Sequence, residues 1–425
     1  MFQLSVMKLF PEKNRSIYLK WLLIGLLIRL AFMPFTLHGD MADMNRVAYL
    51  LLHQGYIPGN QMAYPPLAYY TMSFFQFIFR PMMRFFGSAP HPGVSWLTSP
   101  HVFRYSFLLK SYYLFFDLGI AFLLLRLLDE EKQKLMVLKF WMLNPLVIFT
   151  CYIQGQFDIL PAFFIVLSLY YVLKSRLTLS MLCLGIGACF KNFPFFFLIP
   201  ALILLGKTRL AKLKFFVLAV VPYLFLIYPY LGAAGFKNAA VTSAQNQRIL
   251  GFYFNLGSFD KVYVFIAGYS VILVLAYFHN YGKNSKDTFQ ALWRINLMIY
   301  LWLFATVYFH PQWFIWGMPL LILFVVKNKK LTPLYWVQII CIFVYMIHWG
   351  RQLLWWPFAL VYPALGQQIR PPSEIIGQFY PPHEFTSVFR SIFTGILICM
   401  IYLVYRDFRQ RKDYERTREE RGKLW

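Results

Sequence analysis

The sequence predicts an all-α membrane protein of about twelve spanning helices. Three observations lead there. Hydrophobic residues make up 59% and aromatic residues 20% of the 425-residue chain, while charged residues reach only 14%, about half the share usual in a soluble domain. Apolar runs such as WLLIGLLIRLAFMPF, FVLAVVPYLFLIYPYLG and SIFTGILICMIYLVY are long enough, at about 1.5 Å rise per residue, to cross roughly 30 Å of hydrocarbon. The basic residues behind the net charge of +24 gather in short turns between these runs. That placement reads as an orientation signal rather than a nucleic-acid surface, and a soluble multi-domain protein is excluded.

The elements follow in order. Lys8, Lys13, Arg15 and Lys20 precede a first span over residues 17 to 37. No small-residue cleavage site follows it, so it is expected to stay as an uncleaved anchor. A long extracytoplasmic loop then runs to about residue 105. Within it, residues 66 to 85 are apolar but broken by Gln76, Arg80, Pro81 and Arg84. This stretch is expected to lie along the interface, because counting it as a crossing would put DEEKQK and GKTRLAKLK on the wrong side. A second span near 106 to 128 returns to DEEKQK, a third leads out to YIQGQFD, and a fourth comes back to KSR. Next, LTLSMLCLGIGACF and FPFFFLIPALILL meet at Lys191 and Asn192. Each is too short to cross comfortably, so the junction is expected to sit in a polar recess.

Beyond the basic turn of Lys207, Arg209, Lys212 and Lys214, further spans place AAGFKNAAVTSAQNQRILGFYFNLGSFD, FHPQW and the loop from HWGRQ to PPHEF outside. Lys327, Lys329, Lys330 and the tail RDFRQRKDYERTREERGK belong inside, so both termini are expected to be cytoplasmic. Residues 1–405 form a single membrane-embedded domain on this reading, and 406–425 a basic cytoplasmic tail. Interleaved acids make that tail a solvated helix that touches anionic lipid, not nucleic acid. The cysteines, Cys151, Cys183, Cys189, Cys341 and Cys399, lie in or beside apolar segments without framework or metal-ligand spacing, and read as packing residues.

Seven acids fall outside the cytoplasmic segments: Asp40, Asp43, Asp117, Asp158, Asp260, Glu374 and Glu384. An aspartate at the centre of a span costs about 2.5–3.5 kcal/mol, so an acid in or beside an apolar run needs a partner or a task. Asp117 lies two helical turns after Lys110 on one face and reads as a structural intramembrane acid paired with a base. Asp40 and Asp43 would share one face of a helix starting there, with Asp40 able to cap it. Taken alone they read equally as an N-cap plus a solvated acid or as functional carboxylates. Other polar insertions stand at the outer ends of separate spans, however: AYPPLAYY with Tyr64, IQGQFD with Gln154, Gln156 and Asp158, KNFP with Lys191, FNLGSF, and FHPQWFIW with His310.

In this order and sidedness the chain resembles the GT-C superfamily of integral-membrane glycosyltransferases. HGDMADMNRVAYLLLHQG followed by AYPPLAYY is similar to the family's first-loop pattern, and the later motifs match family positions over about residues 17 to 330. The chain departs from the pattern where Val47 or Tyr49 stands in place of the family's common tryptophan. The resemblance implies a GT-C-like fold and inverting transfer of a hexose, mannose before glucose, from a polyprenyl-phosphate sugar. The acceptor is a glycan or lipid-linked glycan on the extracytoplasmic or lumenal face. The membrane is the plasma or inner membrane of a prokaryote or the endoplasmic reticulum of a eukaryote.

A carboxylate general base is implied. Spacing to Gln54 and Gly55 favours Asp40, and Asp43 remains open for the same role. Cations should meet the leaving phosphate. Candidates are Arg104, Lys110, Lys191, Arg248, His310 and Arg351, with Gln154, Gln156, Asp158 and Tyr64 beside the substrate. Lys191 reads equally as an ion-paired lysine. Catalysis is expected to need no cofactor and no metal, with the donor's tail in a groove among membrane lipids. Two readings compete. A lipid-linked sugar flippase or secondary transporter would need polar access from both sides, whereas these motifs gather on one; a non-catalytic subunit of a glycosylation complex predicts that no single acid matters.

Overall fold

The computed structural model describes residues 14–57, 62–85, 101–238, 242–278 and 284–422. Lys8, Lys13 and residues 86–100 of the first loop lie outside the described residues. Helix α1 (Arg15–Phe32) is the first apolar run and stops just before Pro34. Helix α2 (Gly39–Gln54) starts at His38, whose Nδ1 accepts the Asp40 N–H, and ends at Gly55 in the left-handed conformation, φ 76°. Helix α3 (Pro66–Phe85) is the expected first-loop helix. It turns polar groups toward α2: Ser73 Oγ donates to Ala48 O at 2.8 Å and Gln76 Nε2 to Asn45 Oδ1 at 2.6 Å. Phe74, Phe77 and Ile78 stay exposed, the arrangement of an amphipathic element facing lipid.

Helix α4 (Val102–Arg126) is followed by α5 (Glu131–Met142). Asn144 then caps a new turn, accepting from Leu146 N and Val147 N, and a π-helical turn over Ile148–Ile153 delivers the chain to the QGQFD loop. Helices α6 (Ile159–Leu173) and α7 (Leu177–Ala188) form a hairpin. The chain breaks at Lys191 and Asn192 as expected. It resumes as a 3₁₀ turn over Phe193–Phe197 and then α8 (Leu198–Leu205).

Helix α9 (Arg209–Ile227) begins at a Thr208 cap. An antiparallel hairpin of β1 (Tyr253–Asn255) and β2 (Lys261–Tyr263) pairs Tyr253 with Tyr263. Helices α10 (Val264–Phe278) and α11 (Ser285–Thr306) follow, then a 3₁₀ segment over Pro311–Gly317, α12 (Met318–Lys327), α13 (Thr332–Tyr345) and the terminal α14 (Pro382–Gly422).

Every residue from Met318 to Val326 is buried, so α12 is apolar all round because it is enclosed by other helices. Helices α9 and α10 instead expose Leu210, Phe225, Val271 and Tyr277 on the outside, as a lipid-facing layer does. Among the described residues five helices are long and apolar enough to span a membrane, and five more are apolar but only 10–17 residues long. The protein is a multi-pass membrane protein, but about twelve full crossings are not seen. The break at Lys191-Asn192 separates two short apolar helices as the run lengths suggest, while Glu131–Ile153 stays long enough to span despite Pro145.

Turns expected on the cytoplasmic side share one end of the bundle. Lys286 Nζ pairs with Asp129 at 2.9 Å, across 157 residues of sequence. Its hydrogen bond, helped by Lys327, holds the Asp129 carboxyl below its ordinary range.

Candidate functional site

The site is assembled at the other end, where α2 begins and the QGQFD loop turns. Gly155 sits at φ +74°, and a Cβ there would run into the Met41 sulfur. Glycine is therefore required for the loop to lie against α2. The next residue, Gln156, is buried and its Nε2 donates to Asp40 Oδ2 at 2.8 Å. Asp40 is thus oriented by a neutral amide in the first turn of a helix, with its side chain 39% exposed. A carboxylate gains there from the helix dipole and stays in reach of solvent. Asp43, one turn on, is 79% exposed and its nearest basic group is Arg46 at 4.0 Å. Only Asp40 meets the loop.

Two histidines flank Asp40. His38 Nδ1 accepts the Asp40 N–H, so its proton belongs on Nε2, a buried atom with no hydrogen-bond partner among the described residues. Burial lowers the His38 pKa and Asp40 partly opposes that. Burial also pushes His310 down to about 3, with Asp40 pulling the other way, so this imidazole is neutral at physiological pH. Its Nδ1 lacks a partner, as do both amide atoms of buried Gln154. Arg248 stands close enough to lower His310 further. Its guanidinium lies 4.8 Å from the Tyr308 ring centre and 5.3 Å from that of Trp313, held by aromatic faces rather than by an acid.

Beside this group lies a cavity of ≈ 360 Å³ lined by Tyr64, Lys191, Phe193, Trp313 and Trp316 among others. Burial and the nearby carboxylates of Asp40 and Asp158 hold the Tyr64 phenol well above its ordinary pKa, which keeps it a donor. The walls are stacked rings: Phe193 on Trp316 at 3.9 Å and Trp313 on Trp316 at 5.2 Å. Such faces accept apolar chains and the C–H faces of sugars alike.

Several candidate cations are engaged elsewhere. Lys191 Nζ pairs with both oxygens of fully buried Asp158, at 2.7 and 2.8 Å, and Trp316 Nε1 donates to the same carboxylate. This triad ties the α7–α8 break to the start of α6 and to the 3₁₀ segment. Lys110 is fully buried and spends its protons on Met33 O, Thr36 and Tyr152 O. Its task is to fix the end of α1 to the segment leading into QGQFD, which places Asp40 opposite Gln156. Arg351 pairs with Glu374 and donates to Ile369 O, and Arg104 lies on the exposed side of α4. Phosphate contact from Lys110, Lys191 or Arg351 would require breaking these bonds.

Asp117 is a buried structural acid, and its base is Arg29 on α1. Arg29 Nε donates to Asp117 Oδ2 at 2.5 Å, and Tyr152 Oη and Trp141 Nε1 donate at 2.6 and 2.7 Å. Arg29 is the lone charge inside the first apolar run, and that was the signal for it. Among the described residues no three His, Cys, Asp or Glu side chains converge at metal-binding distances.

A profile of the family described as GPI transamidase subunit PIG-U matches residues 48–343, most of the helical core. The chain belongs to this family. The match takes in Tyr64, the QGQFD loop, Lys191, Arg248 and His310, and begins after Asp40. This PIG-U family member is also similar to proteins named GPI mannosyltransferase 1. Identity is 33% over 113 residues with that of Saccharomyces cerevisiae, covering 26% of this chain and 28% of the relative. It is 25% over 189 residues with that of Kluyveromyces lactis, 42% of each, and 35% over 88 residues with that of Candida albicans, 19% and 22%. The chain thus spans less than half the length of the curated relatives it matches.

Proposed function

We propose that this chain transfers mannose from a polyprenyl-phosphate sugar to a glycolipid acceptor of the GPI type, with Asp40 as general base. The observation that carries the reading is the pose of Asp40: partly exposed, held through one oxygen by Gln156, and bordered by neutral imidazoles and an aromatic cavity. The free oxygen takes the proton of the acceptor hydroxyl as that oxygen attacks the anomeric carbon. The bond from that carbon to the phosphate oxygen breaks, and its electron pair leaves with the lipid phosphate. Of the six candidates, Arg248 and the uncharged His310 are the groups that meet this growing charge. Gln154, Tyr64 and His38 offer hydrogen bonds to sugar hydroxyls. Both substrates are membrane lipids, so their tails stay in the bilayer while their heads enter the cavity. A GPI pathway puts the protein in the endoplasmic reticulum membrane, with the site facing the lumen.

The family's description favours a second reading, in which the same cavity holds a glycolipid without reacting on it, as a subunit of a membrane complex. Purified protein incubated with polyprenyl-phosphate mannose and a GPI-precursor glycolipid separates the two. The first reading expects product that disappears in Asp40→Asn, whereas the second expects glycolipid binding without turnover.

A further inference from the structure

A second cavity lies apart from Asp40, between the end of α11, the 3₁₀ turn Met346–Trp349 and the beginning of α14. Its volume is ≈ 710 Å³, and among the described residues no acidic side chain lines it. One face of α14 forms a wall, through His383, Ser387, Arg390, Ser391, Gly395 and Ile398. The spacing of these residues by three and four places them in a single stripe. The stripe is graded, with basic and hydroxyl groups at the helix start and glycine and isoleucine about two turns further on. Ser387, Ser391, Gly395 and Ile398 are exposed, and a Cβ built at Gly395 meets nothing within 4 Å, so the groove is open along its length.

Arg390 stands at the join. Its Nη1 donates to Thr394 Oγ1 at 2.7 Å and its Nη2 to Val307 O at 3.1 Å. The rings of Phe309, Phe393 and Tyr345 lie 5.0, 5.5 and 5.9 Å from it. No carboxylate among the described residues pairs with it. Across the cavity His348 Nδ1 and His383 Nδ1 share a hydrogen bond of 3.0 Å. A half-buried guanidinium lacking an acid, inside a membrane protein, is electrostatically incomplete, and an anion bound there would complete it.

We infer that this groove binds an anionic phospholipid, with the phosphate at Arg390 and the histidine pair and an acyl chain along Gly395 and Ile398. A free anion would use only the polar end and a neutral lipid only the apolar end; the graded stripe fits a molecule that has both. The α14 wall of the groove lies beyond residues 48–343, whereas the facing wall at Ala305–Tyr308 lies within that matched stretch.

The test is thermal melting of the full-length protein in detergent micelles with added phosphatidylglycerol, phosphatidylcholine or inorganic phosphate. Phosphatidylglycerol should raise the melting temperature saturably, and the other two should not. Arg390→Gln should raise the half-saturating phosphatidylglycerol concentration at least about fivefold, the factor matching about 1 kcal/mol per basic group near a membrane surface. Arg390 also holds backbone carbonyls, so Gly395→Leu provides a second arm independent of that structural role: it fills open space and should abolish the shift in a protein that melts normally. Equal stabilisation by phosphatidylcholine, an equal effect of inorganic phosphate, or an unchanged response in Gly395→Leu would each overturn the proposal. None of these readouts involves sugar transfer, so the result stands apart from the proposed activity.

Discussion

Lys191→Met is the substitution whose outcome the structure redefines most. A lysine at a break between half-length helices invites a role in holding phosphate, yet its ammonium sits between the two oxygens of Asp158, whose side chain is fully buried. Methionine keeps the length of the stem and its contact with the Tyr64 and Phe157 rings, 5.1 and 4.7 Å from the ammonium. It leaves Asp158 with Trp316 as its remaining side-chain donor. Removing one member of a buried pair costs about 3–5 kcal/mol, because the other charge is stranded. Against a typical total of about 5–15 kcal/mol this is a large fraction. The assay is the midpoint of heat-induced loss of the monodisperse peak of solubilised protein, measured beside donor binding. Lys191→Met should lower the midpoint by many degrees, and Asp158→Asn with Lys191→Met should regain most of it by removing both charges while the amide oxygen still accepts from Trp316. A Lys191→Met protein that melts normally but no longer binds donor would refute the reasoning and return this lysine to the phosphate.

Arg29→Met should likewise strand Asp117 and cut the yield of folded protein, with Arg29→Met/Asp117→Leu recovering part of it in the same melting assay. Gly155→Ala should cost about 2–4 kcal/mol, combining a left-handed backbone with a clash against Met41, and Met41→Ala should relieve the steric share. His310 has a folded pKa of about 3 against 6.5 when unfolded, so the unfolded state binds more protons between those values. Stability should be full above pH 6.5 and fall as the pH drops toward 3, by up to about 1.4 kcal/mol per unit. His310→Gln should flatten that slope in melting curves taken across the range.

Local features were legible in the sequence because they are written in neighbouring residues. The first-loop helix over 66 to 85, the break at Lys191 and Asn192, and the burial of Asp117 follow from apolar run length and the cost of charge in hydrocarbon. Partners were not legible. Asp117 was expected to pair with a base elsewhere in the bundle, but that the base is Arg29, 88 residues away, could not be named from spacing. That choice depends on how α1, α4 and α5 pack. For Lys191 an ion pair was an open reading, but its acid, Asp158 at the start of α6, could not be named from spacing. His38 was overlooked because a histidine before a helix start carries no periodic signal; its neighbour Asp40 marks it only once the cap is seen.

The most direct measurement is the rate of mannose transfer by Asp40→Asn beside the wild-type protein and Asp43→Asn, each first shown to melt normally. Asparagine still accepts the Gln156 hydrogen bond but cannot take a proton. The account predicts a fall of about 10²–10⁴ for Asp40→Asn, with donor binding kept and Asp43→Asn close to wild type. A folded Asp40→Asn protein that transfers mannose at the wild-type rate would contradict it.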